Sequence, residues 1–349
     1  MKTKYFNDAI IGNKNVRATF SKKGELLRLY YPSIDYRQFI DEFMVGLKIN
    51  DSRLINLYDD INNLYMQNYV EDTNILATEI KNMYFNLKIT QTDYVSTKEN
   101  ILIRNYILKN EHEIDLDVNM LIHSKLLNDE NNAVSGIYKN EALIQYMHDY
   151  TLAIFSKDKP LSYQINNTKA NISDGEIGGK DYVGMSNDSA ISYDLGKIAP
   201  GQEKEINIII SLYANDRISS EQIEEDVIRL KKLDLTKQYS NTKRYWNNYL
   251  KNHDTLNLRE PRNEKEKKIH KIYKRTILLF PLLYNNETGG ISAAAEIDED
   301  RTRCGGYSYC WPRDAIFITK AMYQLGMEKE VEKFYKSFCP NTQSKNGMW

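Results

Sequence analysis

The chain has 349 residues, with 47 Lys and Arg against 48 Asp and Glu, a formal net charge of −1. This balance excludes a large nucleic-acid-binding surface, which needs a clear excess of cations. Apolar residues make up 41% and charged residues 27%, which excludes a mainly disordered chain. The length predicts about two domains.

Together with the balanced charge, three further features of the sequence predict a cytoplasmic protein with neither a membrane nor a nucleic-acid partner. No apolar run approaches the roughly 18 residues of a membrane-spanning helix. The N-terminal residues 1–15 lack the apolar centre of a secretory signal. The 3 cysteines are too few for a disulfide framework, which agrees with a reducing compartment.

The first two-thirds of the chain have the residue pattern of β-strands. Residues 83–90 and 114–123 alternate apolar and polar side chains, which is typical of a strand with one buried face. This alternation places His123 on the polar face of its strand. Residues 101–108 form a denser apolar run, which predicts a more buried strand.

Turn residues separate these strands. Lys22-Lys23-Gly24 predicts a hairpin between residues 16–20 and 26–31. Residues 199–202 (Ala-Pro-Gly-Gln) predict a turn before another strand. About ten such segments, without helices between them, predict a large antiparallel β-sandwich over residues 1–216.

The pattern becomes helical near residue 217. Ser219 and Gln222 have the spacing of a capping box, and the apolar residues after them recur at helical intervals. A second helix is predicted over residues 237–250, and the polar stretch 251–265 is interpreted as a linker. Residues 217–265 are therefore predicted to be linker helices and a linker.

A helical array is predicted from residue 266 to residue 349. Its first helix is expected to end or kink at Pro281. A helix over residues 314–325 is expected to be capped by Gly326, with an antiparallel partner over residues 327–338 that ends before Cys339-Pro340. These helices cannot cover one another's apolar faces, so we expect further helices or a partner.

The most informative stretch is residues 291–314, ISAAAEIDEDRTRCGGYSYCWPRD. Arg and Asp make charge-assisted hydrogen bonds to the hydroxyls of a neutral sugar, and aromatic rings cover its C–H faces. Pro312 suits the first turn of a helix, which places Asp314 where the helix dipole stabilises a carboxylate. The segment therefore combines both kinds of sugar-binding group.

These motifs resemble the prokaryotic glucoamylase group of glycoside hydrolase family 15. LLRLYYPS at residues 26–33 and Thr-Gly-Gly-Ile at 288–291 are similar to segments of that family, and Gly305 to Asp314 is the strongest match. The resemblance implies an N-terminal antiparallel β-super-sandwich, linker helices and the first helices of a truncated (α/α)6 barrel.

The resemblance also implies substrate-binding residues. Arg313 and Asp314 match the family's pair that binds the glucose at the non-reducing end, and Tyr307 and Trp311 match aromatic residues of that subsite. Tyr309 is expected to pack instead. The implied substrate is an α-glucan or maltooligosaccharide, hydrolysed at α-1,4 linkages with inversion.

The resemblance places no catalytic residue in this chain. Inverting hydrolysis needs a general acid and a general base. In the family both are glutamates downstream of the Arg-Asp motif, and no glutamate of this sequence matches either position. The barrel helices that carry them are expected to follow residue 349, so the 349-residue chain alone is predicted to be inactive.

Other clusters of polar residues carry less information. The acidic run at residues 296–300 lacks the spacing of a calcium loop, which favours a solvated loop. Cys304 and Cys310 have no second cysteine pair nearby, which disfavours zinc. The sequence lacks phosphate-binding glycine motifs, so no cofactor is expected.

Two alternatives to a glucan glucosidase remain open. The same architecture is found in inverting disaccharide phosphorylases, which use phosphate in place of the base, and related chemistry includes that of a trehalase. The second alternative is a non-catalytic carbohydrate-binding protein built from the sandwich.

Overall fold

A computed structural model describes residues 7–33, 38–127, 134–147, 149–179, 183–214, 216, 218–295, 307 and 309–348. Strands occupy the described chain up to residue 214. In chain order they are β1 (Ala9–Gly12), β2 (Arg17–Phe20), β3 (Leu26–Tyr30), β4 (Ile40–Ile49), β5 (Ile55–Asn56), β6 (Asn63–Tyr69), β7 (Leu76–Asn82), β8 (Leu87–Val95), β9 (Ile101–Asn110), β10 (Leu116–Leu126), β11 (Val134–Lys139), β12 (Ala142–Met147), β13 (Tyr150–Ser156), β14 (Ser162–Ile165), β15 (Val183–Gly184), β16 (Asp188–Ile198) and β17 (Glu203–Ala214).

The strands form three sheets whose described pairings are antiparallel. A three-stranded sheet has the order β1-β2-β3, and a five-stranded sheet has the order β14-β16-β10-β4-β5. The largest sheet has nine strands in the order β15-β11-β12-β13-β17-β9-β8-β7-β6. All three contribute to one apolar core, for example through Phe20, Phe43 and Ile208. The predicted antiparallel sheets at the N-terminus are confirmed.

The strand β9 lies next to the central strand of the nine-stranded sheet, β17, and is buried on both faces. Leu102 belongs to the core shared by the sheets, whereas Ile101 and Ile103 point to the other face. That second face is covered by a helix over residues 220–231. Burial on both faces explains the dense apolar run at residues 101–108, and confirms its interpretation as a buried strand.

One prediction for the strands is wrong in detail, and another is confirmed. The alternation at residues 83–90 starts in a turn, because the Asn82 carboxamide accepts hydrogen bonds from the N–H groups of Tyr84 and Phe85 at 3.1 and 2.9 Å. The strand begins only at Leu87. The hairpin at Lys22-Lys23-Gly24 is confirmed, since β2 pairs with β3.

A short helix also interrupts the strands, where none was expected. It is α1 (Thr168–Ile172). The remaining helical segments are α2 (Ser220–Lys231), α3 (Leu235–His253), α4 (Glu264–Leu283), α5 (Pro312–Gln324), α6 (Glu328–Lys333), a π-helical turn (Phe334–Phe338) and α7 (Cys339–Thr342). No described helix combines the length and the apolar character needed to cross a bilayer.

The capping residues of these helices explain where they begin and end. Ser219 and Gln222 form the predicted capping box before α2. The linker is shorter than expected, because Asn263 accepts a hydrogen bond from the N–H of Glu266 and starts α4 at residue 264. The helix α4 ends at Leu283, two residues after Pro281. Gly326, at a φ of 72°, follows α5 as predicted.

The prediction that the last helix ends before Cys339-Pro340 is wrong. The N–H of Cys339 donates to the carbonyl of Phe334, five residues earlier, which is the pairing of a π-helical turn. This wider turn lies immediately before Pro340, which has no N–H of its own to give. The helical path therefore continues through the proline to Thr342.

Arg17 joins the sandwich to the helices. It lies on β2 and is fully buried. Its guanidinium donates hydrogen bonds to the backbone carbonyls of Pro281, Leu282 and Tyr284, with a distance of 2.8 Å to Pro281. These are carbonyls at the C-terminal end of α4, where a cation is favoured. A residue of the first strands thus fixes the end of a helix about 265 positions later.

His123 is buried, although the alternation of β10 places it on the polar face. The helix α1 lies against that face: Thr168 donates to Asp188 on β16, and Lys169 pairs with Glu42 on β4 at 3.1 Å. Glu42 and Asp188 face the two imidazole nitrogens at 3.9 and 4.0 Å. Within the part of the chain that the structure describes, neither nitrogen has a hydrogen-bond partner.

Burial lowers the pKa of His123 below its ordinary value, although Glu42 and Asp188 oppose this shift. Between about pH 6.5 and the lower folded-state pKa, the unfolded chain therefore binds more protons at this site, so stability is lost as the pH falls. We expect the free energy of unfolding of the wild type to fall by about 1 kcal/mol more than that of His123→Leu when the pH is lowered from 7.5 to 5. Urea unfolding at both pH values measures this difference, and an equal pH dependence in the two proteins would contradict it.

Candidate functional site

The residues predicted to bind substrate lie at the start of α5. Pro312 is the first residue of the helix, and Asp314 lies in its first turn. The positive end of the helix dipole stabilises a carboxylate there. The predicted placement of Pro312 and Asp314 at a helix N-terminus is confirmed.

Arg313 and Asp314 form a loose ion pair at the surface. The Arg313 Nη2 and Asp314 Oδ2 atoms are 3.6 Å apart, and the two side chains are 84% and 38% exposed. An ion pair this exposed contributes little to folding stability. The guanidinium and the carboxylate are therefore accessible to a ligand, and the fold does not depend on their pairing.

Three aromatic side chains precede this pair and are half exposed: Tyr307, Tyr309 and Trp311. Tyr309 and Trp311 line an apolar pocket of about 440 Å3, whose other wall includes Phe334 and Phe338. Of the four predicted binding residues only Trp311 lines this pocket. Tyr309 was expected to pack, yet half of its side chain is exposed. The alternation of Tyr307, Tyr309 and Trp311 at every second position is the sequence feature that could have predicted the exposure of Tyr309.

The backbone of this segment is held by the chain that follows α4. The N–H of Ala293 donates to the carbonyls of Tyr307 and Tyr309 at 3.1 and 3.2 Å. The N–H of Ala315 donates to the carbonyl of Trp311 at 2.9 Å, which closes the first turn of α5. The positions of the aromatic residues therefore follow from the position of the segment 291–295.

That segment is fixed in turn by a tight loop at the end of α4. Tyr284 and Ile291 form an antiparallel bridge. Inside the loop, the Asn285 carboxamide accepts hydrogen bonds from the N–H groups of Glu287 and Thr288 at 2.8 and 3.0 Å. Asn285 thus supplies the turn chemistry that returns the chain toward α5.

Two glycines allow the last helical segments to pack on this loop. Gly289 has a φ of 84°, and a Cβ added there would approach the backbone of Lys333 to 3.1 Å. A Cβ at Gly290 would lie 2.8 Å from the ring of Phe338. Side chains larger than hydrogen would therefore separate the loop from the wall of the apolar pocket.

We expect Gly290→Ala to lower the free energy of unfolding by about 1–3 kcal/mol, because the added methyl group overlaps Phe338. Phe338→Leu, combined with Gly290→Ala, should recover part of this loss, since the shorter side chain leaves room for the methyl group. Urea unfolding of the two single variants and the double variant measures this. Strictly additive losses would contradict the predicted contact.

The described cysteines are not suited to nucleophilic chemistry. Burial raises the pKa of the Cys310 and Cys339 thiols, which keeps them protonated near neutral pH. Cys304 and the acidic run at residues 296–300 lie outside the described residues. In the described ranges, no three His, Cys, Asp or Glu side chains are arranged to hold a metal ion.

Comparison with known proteins shows which family this part of the chain is similar to. Residues 267–346 match the sequence profile of glycosyl hydrolases family 15. The chain is a family-15-like protein. It is 27% identical over 348 residues to an uncharacterized glycosyl hydrolase of Methanocaldococcus jannaschii, a match that covers 97% of this chain and 54% of that protein.

Two solved structures have a similar fold over most of the chain. A bacterial glucoamylase complexed with acarbose has a TM-score of 0.73 at 16% identity, over 94% of this chain and 49% of that one. A protein assigned as a kojibiose phosphorylase from the human microbiome has a TM-score of 0.57 at 12% identity, over 78% of this chain and 39% of that one. The chain thus spans about half the length of these relatives. Antiparallel sheets followed by helices are consistent with a glucoamylase-like fold.

Proposed function

We propose that this chain is part of an inverting, exo-acting glucan glucosidase and that it binds the sugar at the non-reducing end. The proposed binding residues are Tyr307, Trp311, Arg313 and Asp314. The observation that carries the proposal is the exposed Arg313–Asp314 pair at a helix N-terminus, next to half-exposed aromatic rings. The match of residues 267–346 to a glycosyl hydrolase family supports it.

The chemistry of these side chains suits a neutral sugar. The Arg313 guanidinium donates hydrogen bonds in a plane, and the Asp314 carboxylate accepts them, so vicinal hydroxyls can be bound by both. The Trp311 ring offers an apolar surface for the C–H face of a pyranose. The Asp314 carboxylate lies in the first turn of α5, where the positive end of the helix dipole favours an anion.

The reacting carboxyl groups are assigned to a part of the protein outside this chain. Inverting hydrolysis needs an acid and a base about 6.5–9.5 Å apart, and we assign neither role to a glutamate of residues 1–349. In this proposal the chain binds and orients the terminal sugar. Further helices of an (α/α)6 barrel carry the acid and the base. The 349-residue chain alone is proposed to bind sugar without cleaving it.

Substitution of Asp314 tests the binding role. We expect Asp314→Asn in the full-length protein to weaken acarbose binding by about 10- to 100-fold, because one charge-assisted hydrogen bond is lost. Isothermal titration calorimetry measures the affinity, and circular dichroism checks the fold. Lys320→Ala, an exposed change two turns further along α5, serves as the control. Unchanged affinity in Asp314→Asn would rule out the assigned role.

The kojibiose phosphorylase neighbour favours a second candidate, phosphorolysis on the same architecture. The two reactions give different products. We expect the full-length protein to release β-glucose first from maltotriose, without added phosphate, in a time-resolved proton NMR experiment. Turnover that requires inorganic phosphate and yields a sugar 1-phosphate would instead support the second candidate, and α-glucose as the first product would exclude inversion.

A further inference from the structure

A large cleft lies where the sandwich, the linker and α4 meet. It encloses about 760 Å3, which is within the size range of small-molecule sites. The turn between β6 and β7 (residues 69–73) forms one wall, linker residues 254–261 form another, and residues 267–278 of α4 form the third. We refer to it as the junction cleft.

Side chains in the wall of the junction cleft are held by contacts within the protein. The Arg275 guanidinium lies over the Tyr69 ring, 4.0 Å from its centre, and donates to the carbonyl of Thr73 at 2.9 Å. At one end Lys274 pairs with Asp72 at 2.8 Å, which ties α4 to the β6–β7 turn. A site whose groups are already held in place loses little conformational entropy on binding.

The charges that line the junction cleft cancel. One set lies along one face of α4, at spacings of three and four residues, and the other on the turn and the linker. The cationic residues are Lys267, Lys271, Lys274 and Arg275, and the carboxylates are Glu71, Asp72, Asp254 and Glu260. This balance disfavours a polyanion or a polycation. It fits a neutral ligand with hydroxyl groups, because hydroxyls accept from the cations and donate to the carboxylates.

Apolar surface completes this chemistry. Leu258 is 41% exposed in the linker wall, and Pro261 and Tyr273 are partly exposed beside it. The Tyr273 hydroxyl accepts a hydrogen bond from the N–H of Leu256 at 3.3 Å, which orients the ring. Flat apolar groups between donors and acceptors match the C–H faces of a pyranose.

The junction cleft is distant from the Arg313–Asp314 pair. Thr255, in the linker wall, donates to the carbonyl of Gln324 at 2.8 Å, and Gln324 is the last residue of α5. The pair lies at the first turn of the same helix. A helix of 13 residues is about 20 Å long, so the two sites lie at opposite ends of it.

We propose that the junction cleft is a second, non-catalytic binding site for a neutral oligosaccharide, and that the oligosaccharide is a segment of an α-1,4-glucan. The identity of the sugar rests on the proposed function, whereas the neutral, polyhydroxyl character of the ligand rests on the cleft itself. A ligand in this cleft contacts the sandwich, the linker and α4 together, and so stabilises their arrangement.

Calorimetric titration of the 349-residue chain, which is proposed to bind sugar without cleaving it, with maltopentaose tests this proposal. The wild type should show two binding events. Lys271→Ala combined with Glu260→Gln should weaken one event at least tenfold and leave the other unchanged, whereas Asp314→Asn should affect only the other. Lys268→Ala is the matched control, because this exposed lysine of α4 lies outside the cleft lining. Asp254→Asn provides an independent variant if the double variant unfolds more easily.

The outcomes separate this inference from the proposed function. If Asp314→Asn removes all binding, the junction cleft does not bind the glucan and the inference is overturned, while the proposed function stands. If only the cleft variants reduce binding, the inference stands and the assignment of Asp314 fails. No binding of maltopentaose by the wild type, or equal loss in Lys268→Ala, would overturn the inference.

Discussion

The contact between Arg17 and the end of α4 is the constraint on which the rest of the structure depends. A fully buried guanidinium needs several acceptors, and the carbonyls of Pro281, Leu282 and Tyr284 supply them. Those carbonyls need donors in turn, because the last carbonyls of a helix have no partner within it. Neither side is satisfied unless strand β2 and helix α4 meet in this register. The position of α4 relative to the sandwich is set by this mutual requirement.

Everything at the candidate site is positioned from that end of α4. The loop closed by Asn285 returns the chain, and Ala293 then holds the carbonyls of Tyr307 and Tyr309. The glycines at 289 and 290 let the π-helical turn approach the same loop. Buried contacts of the loop therefore position the accessible arginine, aspartate and aromatic groups, which contribute little to the stability of the fold themselves. Binding sites are typically built in this way.

Much of this arrangement could be predicted from local patterns. The glycine turn at residue 24, the capping box at Ser219 and the cap at Gly326 depend on neighbouring residues, and each agrees with the structure. Some failures are also local, such as the turn at Asn82 and the helix cap at Asn263. Others involve distant contacts. His123 is buried beside Asp188 and Glu42, which bind α1 from about 45 residues further along the chain. The pairing of Arg17 with α4 could not be predicted from the local sequence around either partner. The same holds for the cleft between the β6–β7 turn and α4.

The helix α2 has a consequence for where this chain can be divided. Its apolar residues Ile223, Val227 and Leu230 cover the face of the nine-stranded sheet that carries Ile101, Ile103 and Ile209. A fragment cut at residue 216 would contain every described strand, yet it would present that face to water, where broad apolar surface promotes aggregation. A fragment meant to retain the sandwich should therefore extend through α2, to residue 231.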